Sequence, residues 1–160
     1  ILKKVYNNQI RKEVFFMKKF LLSAGLVIAV TGICIASEGI FYSETYINKF
    51  AECLPHTESY DTDIPTQDEN TPIIHLKSTE TIIGMQAGKC ATKSQVYSED
   101  LKQDIITVNC TFTNDQRVSL AEKMKKAKTD PQAAQEFQNI VADYVQNRPE
   151  ICTMNNLLAN

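Results

Sequence analysis

The sequence predicts an α+β domain: an N-terminal helix, an antiparallel β-meander of three to four strands, and two C-terminal helices packed on one face of the sheet, preceded by a signal peptide. Three observations carry this. Ile106, Val108, Cys110 and Phe112 alternate with Thr107, Asn109 and Thr111, the period of a strand with one apolar face. Thr113 followed by Gln116 is a capping box, so a helix opens directly after that strand. Ala133, Ala134, Phe137, Ile140, Val141, Tyr144 and Val145 recur at helical spacing and form the cleanest amphipathic stripe in the chain. A sheet with one apolar face needs a cover, and the two helices can supply it.

The chain divides into three parts. Ile1 to Phe16 contain no Met and are read as a non-native translated leader. Lys12-Glu13-Val14 can be encoded by a purine-rich ribosome-binding sequence of the bacterial type, which places the natural start at Met17. Met17 to Ala36 has the form of a secretory signal peptide: Lys18-Lys19, an apolar run from Phe20 to Ile35, and small residues before a cleavage site between Ala36 and Ser37. The run is short of the roughly 20 apolar residues of a bilayer span, and an uncleaved signal anchor is the alternative. Ile33 stands before Cys34 where a lipidation site wants a small residue. Gly39 and Glu44 have the spacing of a pilin cleavage site, but the apolar segment precedes Gly39 instead of following it.

Residues 37–160 are then one small domain. They hold 11 Lys and Arg against 18 Asp and Glu, a formal charge of −7. That balance disfavours nucleic acid, whose binding rests on phosphate neutralisation. Contact with a membrane is expected only through the export signal. The expected location is extracytoplasmic, periplasmic or secreted.

In chain order, Ser43 caps a helix whose Tyr46, Ile47, Phe50, Ala51 and Leu54 share a face, and Pro55 stops it. His56 to Pro72 is polar and acidic. An EF-hand starting at Asp61 would need Gly where Thr66 stands and Glu where Pro72 stands, so the segment reads as a loop, with Ser59–Ile64 available as an edge strand. Ile73 to Thr81 alternates as a strand. Ile82-Ile83, a turn at Gln86-Ala87-Gly88 and a strand from Lys89 to Tyr97 follow as a hairpin. After Phe112 the capped helix carries Val118, Leu120, Ala121, Met124 and Ala127, and ends in Lys123, Lys125, Lys126 and Lys128, where cations suit the helix dipole. Asp130 and Pro131 start the last helix. An opening helix followed by a β-meander is similar in order to cystatin-type domains. No cystatin motif residue is present, so the similarity implies nothing about function.

Cys53, Cys90, Cys110 and Cys152 remain after Cys34 leaves with the signal. An even number in an exported chain reads as two disulfides, and the wide spacings do not fit a metal site. Of three connectivities, the hairpin pattern favours Cys90–Cys110 with Cys53–Cys152.

The chain has no nucleophile motif, no phosphate-binding glycine loop and no metal or cofactor motif. The function expected is therefore non-enzymatic: a bacterial exported binding or interaction module, stapled by two disulfides, whose partner is an unidentified protein or small ligand outside the cytoplasm. No catalytic or cofactor-binding residue is assigned. The alternative is an extracytoplasmic hydrolase of unfamiliar type using His56 or His75. A pocket containing both histidines would favour the enzyme, and their placement on separate surfaces would favour the module.

Overall fold

The computed structural model describes residues 42–65 and 73–156. The leader, the signal peptide and the cleavage site at Ala36 and Ser37 lie outside the described residues. The described chain runs α1 (Glu44–Glu52), β1 (His56–Pro65), β2 (Ile73–Gln86), β3 (Lys89–Ser98), β4 (Gln103–Phe112), α2 (Asn114–Ala127), α3 (Pro131–Asn147) and β5 (Cys152–Asn156). Among the described residues the fold is α+β, with three helices and one antiparallel sheet in the order β1-β2-β3-β4-β5.

The sheet has five strands where the sequence suggested three or four. Ile73–Thr81 and the Ile82-Ile83 run form one strand, β2, and β1 pairs with it without a break from His56–Ile82 to Pro65–Ile73. The unexpected strand is β5. It is five residues long, carries no apolar alternation, and takes its place by pairing with β4 from Cys110–Cys152 to Ile106–Asn156. β2 and β3 are joined by Ala87 and Gly88, both with positive φ (49° and 79°). This is the turn whose twist matches that of the flanking strands.

The helices form where the capping signals lie. Ser43 Oγ accepts from the Tyr46 amide at 2.9 Å. Thr113 and Gln116 exchange both bonds of the capping box. Asp130 accepts from the Gln132 and Ala133 amides ahead of a first-turn proline. All three helices feed one core with the strands: Ile47 and Phe50 from α1, Leu120 and Met124 from α2, Phe137 from α3, and Ile82, Val96, Ile106, Val108 and Phe112 from the sheet. Two expectations about the core change. Val118 is 40 % exposed, since the buried stripe of α2 runs through Leu120, Ala121, Met124 and Ala127 instead. Ile105 is buried because a bulge opposite Val96 and Tyr97 adds one residue to β4.

The four cysteines form two disulfides, but not the favoured pair. The bonds are Cys53–Cys90 and Cys110–Cys152. Register is the reason. Cys90 lies opposite Phe112, and Cys110 lies opposite Thr92. A displacement of two residues keeps both cysteines on the same face and separates them along the strands. Cys90 meets Cys53 instead, which ends α1 in a left-handed conformation (φ 55°). Cys110 meets Cys152 directly across the β4–β5 ladder.

Candidate functional site

The sheet has two unlike faces. The face under the helices carries, on β1 and β2, a polar cluster within the core. His56, Glu58 and Tyr60 point inward on β1, opposite Ile82, Glu80 and Ser78 of β2. Glu58 is a hub: it accepts hydrogen bonds from the Ser43 hydroxyl and the Tyr60 hydroxyl. The Ser43 amide donates to it at 3.3 Å, and His56 Nε2 lies 3.1 Å away. Burial pushes the Glu58 carboxyl up, but these hydrogen bonds outweigh it, and the net effect holds the group below its ordinary range.

Ser43, Glu58 and His56 have the residue types of a hydrolase triad in a different order. In acyl transfer the imidazole stands between hydroxyl and acid, so that it can take the hydroxyl proton. Here the carboxylate stands between them. The Ser43 hydroxyl donates to Glu58 while its oxygen caps α1. The arrangement ties the start of α1 to β1.

The neighbouring acid has the opposite environment. Glu80 is 5 % exposed, and burial pushes its carboxyl up to about 8 against a lowering hydrogen bond from Ser94 Oγ at 2.6 Å. It is neutral at pH 7. The Tyr42 and Tyr46 hydroxyls beside it are also pushed up, first by burial and then by the Glu80 charge.

His75 stands on the other face. Its Nδ1 lies 2.7 Å from Asp63, which raises its pKa, and its amide donates to Asp100 at 3.0 Å. The two histidines suggested as bases are therefore on opposite sides of the sheet, each beside its own carboxylate. Among the described residues no group of three His, Cys, Asp or Glu is placed to hold a metal ion.

That second face is polar throughout its centre. Thr57, Thr81, Lys93, Asn109 and Thr153 are successive partners across all five strands, and Ser59, Thr79, Gln95, Thr107 and Asn155 form the next row. Adjacent hydroxyls bond one another, Thr57 to Thr81 at 3.3 Å and Ser59 to Thr79 at 3.1 Å. Because the helices bury their apolar stripes in the core on the opposite side, no described helix covers these rows. Between α2 and α3 lies an open groove of about 350 Å³, whose Lys123 and Glu136 are paired at 2.6 Å.

Sequence reasoning singled out the histidines and cysteines and missed Glu58 and Glu80. A signal for Glu80 was present: Ile74, Leu76, Ser78, Glu80 and Ile82 hold one alternating face through β2. Reading β2 as one strand places Glu80 inward.

Comparison with family models, with curated proteins and with solved structures finds no match to this chain.

Proposed function

We propose that this chain is a non-enzymatic binding module that works outside the cytoplasm and presents to a partner the polar sheet face that no described helix covers. The observation that carries the reading is the placement of the two histidines on opposite faces, each engaged by a carboxylate. His56 Nε2 faces Glu58 and His75 Nδ1 faces Asp63. The rows of hydroxyl, amide and ammonium groups offer donors and acceptors to a protein or a small polar ligand instead.

Compartment rests on the two disulfides, which are consistent with an oxidising environment. Among the described residues no helix is long and apolar enough to cross a membrane. Export directed by Met17–Ala36, with cleavage before Ser37, is the route proposed, and a membrane-anchored form follows if the signal is not cleaved.

The test places a photo-crosslinking residue at Thr79 or Gln95 on the open face, and at Glu122 or Gln135 on the helices, in the exported protein. Discrete adducts from the first pair alone are expected. Adducts from the helix positions alone would move the binding surface. The competing reading, a hydrolase using His56 or His75, requires that His56→Ala or His75→Ala abolish an activity without changing the melting temperature.

A further inference from the structure

Glu80 does not sit in solid packing. It lines a partly open cavity of about 60 Å³ between the sheet and the three described helices. Tyr42, Tyr46, Phe50, Thr92 and Ser94 also line it, and Ser94 Oγ donates to the Glu80 carboxyl at 2.6 Å. Met124 and Val141 lie on the helix side. Water occupies about 30 Å³ per molecule, so the space suits about two heavy atoms.

The wall chemistry is specific. A buried carboxyl is an acceptor when ionised, and aromatic faces attract cations that have lost their water. The apolar wall opposite suits a methyl group. We propose that this cavity binds a small primary ammonium ion, with Glu80 as its carboxylate partner and the aromatic rings as its walls. As the cation enters, the carboxyl proton leaves to solvent, so one positive charge replaces another and the site stays neutral overall.

The proton release gives the site a signature. Titratable groups around Glu80 are Tyr42 and Tyr46 at α1 and His56, Glu58 and Tyr60 on the inward face of β1. The residues of β3, β4, α2 and α3 that line the cavity carry no charge. Glu58 is held ionised and the tyrosines neutral across the neutral range, and Glu80 is the cavity-lining carboxyl that changes charge there. Below a carboxyl value of about 8, apparent affinity rises about tenfold per pH unit, and above it affinity levels off.

The test is a titration of the exported, disulfide-bonded protein with methylammonium chloride, followed by amide chemical shifts at Thr92 and Val108. Sodium chloride and ethanol serve as controls for ionic strength and for size. The expected result is saturable shifts at pH 8, about fiftyfold weaker apparent binding at pH 6, and loss of binding in Glu80→Gln. Equal saturation by ethanol, an unchanged titration in Glu80→Gln, or no saturable shift at pH 8 would each overturn the proposal. Should Glu80→Gln fail to fold, the ratio between pH 8 and pH 6 in the unmodified protein decides.

Discussion

Glu80 and Glu58 are cross-strand partners pushed in opposite directions. Glu80 keeps its proton up to about pH 8 in the folded chain, whereas in the unfolded chain it releases it near 4.5. Between these values the folded state binds more protons, so its stability falls as pH rises and then levels off. The difference is at most on the order of 5 kcal/mol, at about 1.4 kcal/mol per unit. Glu58 acts below that window. Its carboxyl is lowered by Ser43, Tyr60 and His56, so its contribution is present above the unfolded value and is lost as pH falls through the folded one. Urea denaturation is therefore expected to show a stability maximum near pH 5 and a decline toward pH 8. Glu80→Gln, which keeps the shape and removes the charge, flattens that decline. A wild-type stability that rose from pH 5 to pH 8 would contradict the burial of an ionisable Glu80.

At the scale of elements, the helices follow from local chemistry and the sheet does not. Ser43, Thr113 and Asp130 cap helices through bonds made within three residues, so these starts are visible in the sequence. Strand register is different. It is set by pairs far apart in the chain, and a slip of two residues preserves every inward and outward side chain. That is why β4 could be recognised and its partner for Cys110 could not. β5 has neither cap nor alternation, and only its ladder with β4 identifies it. Glu80 was hidden because a carboxylate in a strand ordinarily faces water. The core itself can be tested. Phe137 is 1 % exposed and Val108 3 %. Phe137→Ala should cost about 3–5 kcal/mol by removing packing and leaving a cavity. Val108→Asp should cost at least as much by burying a charge. Unchanged melting temperatures for both would contradict the packing of α3 on the sheet.

For the whole molecule, the two disulfides join elements that the backbone leaves distant. Cys53–Cys90 closes a separation of 37 residues and pins the end of α1 to β3. Cys110–Cys152 closes 42 residues and holds β5 against β4 beyond both helices. In the loop-closure model each contributes about 4 kcal/mol by restricting the unfolded chain. A sheet whose described helices lie on one side, with its other face polar, depends on one modest core, and cross-links of this size are a large share of a small domain's net stability. The sheet register and the oxidising compartment are both tied to this pair of bonds. The most direct test is peptide mapping of the protein expressed from its full sequence in a bacterial host, under non-reducing conditions with thiols alkylated before digestion. Linked peptides containing Cys53 with Cys90 and Cys110 with Cys152, and no alkylated cysteine among the four, are the expected result. Cys90 linked to Cys110, or free thiols at these positions, would contradict the register of the sheet or the oxidising compartment in which it forms.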